Sequence, residues 1–197
     1  MIAATNNLGK LKEIREILEE YRIYSLKEKG INIDVEEDGK TFLDNAKKKA
    51  IEIYRITQSG EGVIADDSGL CIKALNGFPG VETHRFLGED ATDRMRNMYL
   101  INQVNKYNDR SAQFICNLVY YDGTNITVGE GILEGFISRE CRGENGFGFD
   151  EIFELPNGLT LAELSPEEKN SISARSLALK DLKKKINVKI KYMSCIN

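Results

Sequence analysis

The feature that most constrains this chain is residues 63–70, where two adjacent carboxylates directly follow a short apolar run. Val63, Ile64 and Ala65 are typical of the end of a buried strand, and Asp66 and Asp67 come next. Because burying an unpaired charge is costly, acids at a strand end are expected to face a cleft, a cation or water. Successive strand residues point to opposite faces, so at most one aspartate points directly into a site and the other supports it. The alternative is a solvated loop with an Asx-type turn.

The composition limits the class of protein and the class of chemistry. The 197 residues suffice for one α/β domain in two lobes, and 41% hydrophobic with 29% charged residues is ordinary for a soluble globular protein. No apolar run reaches the length of a membrane span, and a strand-like run follows Met1 at once, so we expect neither a membrane segment nor a signal peptide.

Charge, cysteine spacing and histidine content narrow the chemistry further. A net charge of −4 argues against nucleic acid as a partner, and four dispersed cysteines without a CxxC pair fit a reducing cytoplasm. The only histidine is His84, which argues against a Ser-His-Asp or Cys-His nucleophile system. Carboxylates acting with a metal ion are therefore the expected chemistry of an enzyme of this kind.

The N-terminus reads as a strand over residues 1–4, a polar loop over residues 5–10 and a helix from Lys10. A helix N-terminus leaves unpaired N–H groups that attract phosphate, and Lys10 adds a full charge. The loop is not a Walker A sequence, because Leu11 stands where Ser or Thr binds magnesium. The alternative is an ordinary turn with a helix cap.

Further strands are predicted around residues 21–25 and 31–35, followed by the acids Glu36, Glu37 and Asp38 before Gly39. Such a run is usually a solvated face, but one of its carboxylates could bind Mg²⁺. Residues 41–44 resemble a capping box that opens a helix to about Ser59.

In the second half of the chain, Thr92 is expected to open a helix to about Lys106, with Met95 and Tyr99 facing inward. Residues 112–121 and 126–137 read as strands joined by a hairpin turn. Residues 165–168 predict one helix that continues to about Ile186, and the tail after it reads as an edge strand or a frayed end.

Residues 142–150 form a second unusual loop, in which three glycines alternate with two aromatic residues and the run ends on an acid. Glycines let a ligand approach the backbone closely, and an aromatic ring beside them can stack on a base. The alternative is a glycine-rich turn whose two phenylalanines join the core.

Taken in order, these segments resemble the inosine/xanthosine triphosphate pyrophosphatases. The resemblance runs nearly from end to end, and no single motif decides it. The matching segments are residues 5–10, Thr41-Phe42 with Asn45-Ala46 and Lys49-Ala50, residues 65–70, 74–77 and 79–80, 129–131, Arg142-Gly143, 146–153, 162–164, 167–170 and 172–173.

The resemblance implies an α/β fold with an elongated central mixed β-sheet flanked by helices, in two lobes with a deep cleft, over residues 1–197 as a single domain. It also implies Mg²⁺-dependent hydrolysis of ITP, dITP and XTP between the α and β phosphates, releasing monophosphate and pyrophosphate. The protein is expected to be a cytoplasmic homodimer that acts on a small-molecule purine nucleoside triphosphate.

By position, Asp67 matches the family's catalytic carboxylate, and Glu36 and Asp67 match its metal ligands. Two further sets match substrate contacts. The phosphate-side set is Thr5, Asn6, Asn7, Leu8, Gly9, Lys10, Lys49 and Ser68. The base-side set is Phe147, Gly148, Phe149, Asp150, Lys169, Ala174 and Arg175.

One position departs from the family pattern, which usually reads Ser-His-Arg where this chain has Ser173, Ala174 and Arg175. The missing imidazole is a base-edge partner in the family, and we hypothesise that His84 partly substitutes for it. Two other functions stay open at this point: a related pyrophosphatase for modified pyrimidine nucleotides, and a nucleotide-binding sensor that does not hydrolyse.

Overall fold

The computed structural model describes residues 1–83, 85–88 and 90–194, with side chains described as far as residue 187. Its strands are β1 (Ile2–Ala3), β2 (Tyr24–Ser25), β3 (Val63–Ile72), β4 (Ser111–Tyr121), β5 (Ile126–Ile137) and β6 (Phe153–Glu154). Its α-helices are α1 (Leu8–Ile17), α2 (Phe42–Thr57), α3 (Asp93–Val104), α4 (Pro166–Ile172) and α5 (Ala174–Ser194).

Within these residues the strands form one six-stranded sheet in the order β2-β1-β3-β4-β5-β6. The sheet is mixed, because β1 pairs in parallel with β2 and β3 whereas β5 and β6 are antiparallel. The parallel register sets Ile2 opposite Val63 and Ala3 opposite Ile64, so β1 aligns with the start of the aspartate-bearing strand. The expected α/β fold with a mixed sheet is confirmed.

The chain divides into two compact units. Unit 1 comprises residues 1–68, 116–131 and 174–197, and unit 2 comprises residues 69–115 and 132–173. Each has a buried core of its own: Ala46, Ile53 and Val63 belong to that of unit 1, and Leu100 and Phe153 to that of unit 2. The deep cleft expected from the resemblance stays a prediction.

Helix boundaries follow the capping residues in the sequence. Thr41, Thr92 and Ser165 each accept a hydrogen bond from a backbone N–H in the first turn of the helix that follows, as their positions predict. Helix α1 begins two residues earlier than Lys10, because the Asn7 side chain caps it.

Two strand expectations near residues 31–35 and 66–72 are corrected. No strand is present at residues 31–35, where Ile33 is exposed. Conversely, β3 does not end before the aspartates but continues through them to Ile72, because both carboxylates find partners inside the fold.

Two helix expectations are also wrong. Met95 and Tyr99 lie on the exposed side of α3, and the buried side instead carries Arg96 and Asn97 beside its apolar residues. The Arg96 guanidinium is buried because it donates to the carbonyl groups of residues 86, 88 and 91. Hydrophobicity alone therefore misplaced the inward face.

The helix predicted from residue 165 to about Ile186 is interrupted at Ser173, whose ψ of 149° is extended, so α4 and α5 are separate. Helix α5 then continues through the tail to Ser194, where an edge strand or frayed end was expected. Within the described part of the chain, no helix is long and apolar enough to cross a membrane.

Candidate active site

Strand β3 places Asp66 and Asp67 in unit 1 with different partners. Both are buried, with 2% and 7% of their surface exposed, yet no residue contacts both carboxylates in the hydrogen bonds and ion pairs of the described residues. This separation follows from the alternation of side chains along a strand. The two aspartates can therefore perform different tasks.

Asp66 is surrounded by cations. Its Oδ2 atom lies 2.9 Å from Lys10 Nζ and 3.3 Å from Arg175 Nε, and Arg175 Nη1 lies 2.9 Å from Glu13 Oε2. Burial by itself raises the pKa of Asp66, but the charges of Lys10 and Arg175 outweigh it and hold the pKa well below its usual range. Asp66 therefore stays ionised and acts as the support that fixes two cations.

Asp67 is held by neutral donors instead. Asn45 Nδ2 donates to Oδ2 at 2.8 Å, and the backbone N–H of Ser68 donates to Oδ1 at 2.8 Å. Burial raises the pKa of the Asp67 carboxyl against these hydrogen bonds, and the negative charge of Glu37 raises it further. A pKa shifted toward neutrality suits a carboxylate that accepts a proton.

Lys49 connects this region to the acidic segment. Its Nζ pairs with the Glu37 carboxylate and lies 3.2 Å from the carbonyl oxygen of Asp66. Burial alone would lower the pKa of Lys49, but Glu37 and the two aspartates raise it above its usual value. Lys49 is therefore a charged ammonium beside β3.

The predicted ligand Glu36 is exposed, whereas its neighbour Glu37 is half-buried and pairs with Lys49. Sequence reasoning could not separate the two, because both stand in the same acidic run. It also missed Asn45 and Glu13, whose partners lie 22 and 162 residues away along the chain. The resemblance assigns the metal ligand to Glu36, whereas burial and the ion pair with Lys49 favour Glu37 for that role.

The phosphate-side loop lies at the start of α1. The Asn7 side chain accepts hydrogen bonds from the N–H groups of Gly9 and Lys10 at 2.9 and 3.1 Å, and Thr5 Oγ1 accepts one from Asn7 N at 3.1 Å. Asn6, Leu8 and Gly9 are exposed. The loop brings Lys10 to Asp66, and its contact with phosphate stays a prediction.

Unit 2 holds most of the predicted base-side residues. Lys169 pairs with Asp150, and its Nζ lies 4.5 Å from the centre of the Phe147 ring. Asp150 also accepts a hydrogen bond from Phe147 N at 2.8 Å. The Phe147 ring is 53% exposed, whereas Phe149 is buried and stacks on Phe86. One aromatic residue thus joins the core, and the other presents its ring.

The backbone of Gly148 is fixed on both sides. Its N–H donates to Asp93 Oδ2 at 2.8 Å, and its carbonyl accepts from Asn97 Nδ2 at 3.0 Å. The φ of Gly148 is +64°, which favours glycine. Helix α3, which sequence reasoning gave no role, therefore shapes the loop that carries Phe147.

Arg175 and Ala174 lie in unit 1, at the start of α5. The Arg175 guanidinium is engaged by two carboxylates, and Ala174 is buried. Their base-side role stays a prediction. His84 lies outside the described residues, so the hypothesis that it substitutes for the missing imidazole also stays open.

A sequence model of the Ham1 family matches residues 1–185. The chain belongs to the Ham1 family. A protein named dITP/XTP pyrophosphatase in Clostridium perfringens is 45% identical over 192 residues, covering 92% of this chain and 94% of that protein. Another of that name in Bacillus subtilis is 43% identical over 189 residues, covering 93% and 94%.

Solved structures of Ham1 proteins share the fold. That of a Ham1 protein from Coxiella burnetii aligns with a TM-score of 0.85 at 39% identity, covering 94% of this chain and 97% of that one. The Ham1 protein of Staphylococcus aureus aligns with a TM-score of 0.83 at 35% identity, covering 100% and 98%.

Proposed function

We propose that this chain is a nucleoside triphosphate pyrophosphatase that hydrolyses dITP, ITP and XTP to the monophosphate and pyrophosphate. Family membership and the names of its relatives support the reaction and its substrates. The proposed role is to remove non-standard purine nucleotides from the nucleotide pool of the cytoplasm.

One structural observation carries the assignment of Asp67. Of the two buried aspartates on β3, only Asp66 pairs with cations in the described ion pairs, whereas Asp67 accepts hydrogen bonds from an amide and a backbone N–H. Asp66 is thus committed to structure. Asp67 retains the raised pKa of a group that can take a proton from water.

The residues around Asp67 fit a magnesium ion. Among the described residues, no three acidic, histidine or cysteine side chains gather as a ready-made metal site. Mg²⁺ is usually bound by one or two carboxylates together with substrate phosphates, and the carboxylates of Asp67 and Glu37 are hard oxygen donors whose charges influence each other. When bound, Mg²⁺ supplies positive charge for the triphosphate oxygens.

The remaining steps are assigned to the chain's own residues. Asp67 orients the attacking water and accepts its proton, with the α-phosphorus as the proposed point of attack. Lys49 and Lys10 stabilise the negative charge that develops on the phosphoryl oxygens and on the leaving pyrophosphate. Lys10 is paired with Asp66 and Lys49 with Glu37, so both ammonium groups already lie beside the residues that the proposal assigns to the site.

For the base, the proposed contacts are the exposed Phe147 ring and Lys169 beside it. Lysine only donates hydrogen bonds, and a 6-keto purine accepts them where adenine presents an amino group. The proposal therefore predicts a preference for inosine and xanthosine nucleotides over ATP. A homodimer is also part of the proposal, and light scattering of the purified protein would test it.

The test of the function is product analysis with ITP, dITP, XTP, ATP and a modified pyrimidine triphosphate, each with Mg²⁺. Pyrophosphate from the first three, with little turnover of the others, is expected. Orthophosphate as the first product would contradict the reaction, and preferred turnover of the pyrimidine would favour the related pyrophosphatase. Binding without any product would indicate a sensor.

A matched pair of variants tests which glutamate acts with Asp67. Glu37→Gln is expected to lower kcat/KM by about 100-fold and to raise the Mg²⁺ concentration needed for half-maximal rate, since the side chain loses its charge beside Lys49. Glu36→Gln, at an exposed position, is expected to behave like the wild type. If Glu36→Gln lowers kcat/KM and Glu37→Gln does not, Glu36 is the metal ligand, as the resemblance predicts.

A further inference from the structure

Asn45 is a buried amide at the start of α2, with 1% of its surface exposed. Asparagine is a weak helix former, and a buried polar side chain is stable only when its hydrogen bonds are made. Asn45 makes two: Nδ2 donates to Asp67 Oδ2 at 2.8 Å, and Oδ1 accepts from Gly39 N at 2.7 Å.

The chemistry of the two partners fixes the orientation of this amide. A carboxylate oxygen only accepts and a backbone N–H only donates, so a flipped amide would lose both hydrogen bonds. Within the described residues, Asn45 is also the single side chain that hydrogen-bonds to Asp67. It therefore determines the direction of Oδ2, while the backbone of Ser68 holds Oδ1.

The other bond of Asn45 reaches the acidic segment, and it depends on Gly39. A Cβ atom at Gly39 would lie 2.5 Å from Asn45 Oδ1, closer than such atoms approach, and would make a tight contact of 3.0 Å with Asp44 Cβ. Glycine is thus needed here for close approach of the segment that carries Glu37. One amide joins that segment to the aspartate on β3.

We infer that Asn45 is a positioning residue for the proposed reaction, which aligns the Asp67 carboxylate and fixes the Glu37 segment beside it. The inference rests on the proposed function, because it assigns to Asn45 an effect exerted through Asp67. It predicts that the donor of Asn45 matters for turnover and that substrate binding depends on it only weakly.

The test replaces Asn45 by aspartate, first alone and then together with Asp67→Asn. Asn45→Asp keeps an acceptor for Gly39 N but places a carboxylate against Asp67. We expect kcat to fall by about 100-fold with KM changed less than about threefold, and the melting temperature to fall by about 5–10 °C. Asn125→Asp, which adds the same charge at an exposed turn, is the control and should change neither.

The double variant Asn45→Asp with Asp67→Asn separates alignment from general damage to the fold. It recreates the hydrogen bond with donor and acceptor reversed, and the amide oxygen introduced at position 67 still accepts from the backbone N–H of Ser68. We expect it to regain most of the melting temperature lost in Asn45→Asp, while its turnover stays as low as that of Asp67→Asn alone.

Wild-type kcat in Asn45→Asp would overturn the inference, as would strictly additive losses of melting temperature in the double variant. The melting temperatures of the wild type, the two single variants and the double variant are measured without substrate. They therefore report on the hydrogen bond between residues 45 and 67 even if the wild type releases no pyrophosphate. Failure of the proposed function would appear in the product analysis of the wild type, and failure of this inference in the variants alone.

Discussion

At the scale of single residues, two adjacent aspartates differ because their partners differ. Alternation along a strand, and with it the different surroundings of the two carboxylates, could be predicted from residues 63–70. The role of Asp67 in the reaction stays a prediction. The partners could not be predicted, because Arg175 reaches Asp66 from 109 residues away along the chain, and Glu13 pairs with Arg175 from 162 residues away. The choice between Glu36 and Glu37 likewise depends on how an irregular segment turns.

Asp66→Asn tests the supporting role. Removing one charge from a buried ion pair leaves the opposite charges uncompensated, so we expect the free energy of unfolding to fall by about 3 kcal/mol in urea titrations. Glu16→Gln, in an exposed pair with Lys12, is the control and should leave stability unchanged. Equal, small effects would show that Asp66 is not a structural anchor.

Lys10→Ala and Lys12→Ala compare two lysines of the same helix. Lys10 is largely buried beside Asp66, whereas the Lys12 side chain is 73% exposed. If Lys10 contacts phosphate, its loss should lower kcat/KM for dITP by about 10–100-fold, since hydrogen bonds to charged groups are the strong ones. Lys12→Ala should match the wild type. Equal kinetics in both variants would show that Lys10 does not contribute to substrate binding or turnover.

At the scale of secondary-structure elements, the sequence predicts helix caps and the hairpin turn, but it does not predict where a helix is interrupted. The sequence marks the start of α4 with Ser165, Pro166 and Glu168, and the structure shows the complete capping box. Nothing comparable marks the break at Ser173, because neither glycine nor proline stands there and apolar residues continue at helical spacing. The inward side of α3 was predicted wrongly for a related reason. Arg96 and Asn97 are buried because their side chains donate hydrogen bonds to backbone carbonyl groups, which hydrophobicity does not reveal.

Ser165→Ala tests whether this cap stabilises α4, which carries Lys169. Loss of the side-chain acceptor should reduce the free energy of unfolding by about 1 kcal/mol. Ser171→Ala, in the same helix but outside the cap, should cost clearly less. A smaller loss for Ser165→Ala than for Ser171→Ala would contradict the assignment of the cap.

At the scale of the whole molecule, length and composition predicted an α/β domain and the family resemblance implied a mixed sheet; the structure confirms both. Periodicity in the sequence could not predict where the chain passes from one unit to the other, because three of these boundaries fall inside β3, β4 and β5. A strand that passes from one unit to the other reads in the sequence as one uninterrupted strand.

Core variants in the two units test this continuity. Ile53→Ala in unit 1 and Leu100→Ala in unit 2 should each lower the free energy of unfolding by about 2–5 kcal/mol, a typical cost of a large cavity. Because three strands are shared, each variant should still unfold in one transition. Ile56→Ala, exposed on α2, should have little effect, and two resolved transitions would contradict the expectation.

The proposed reaction depends above all on Asp67 directing water to the α-phosphorus of a non-standard purine triphosphate. Hydrolysis of dITP in ¹⁸O-labelled water, followed by mass spectrometry of both products, tests it most directly, with Asp67→Asn measured in parallel. We expect the label in the monophosphate, none in pyrophosphate, and a rate at least about 100-fold lower in the variant. Label in the pyrophosphate, or an unchanged rate in Asp67→Asn, would contradict it.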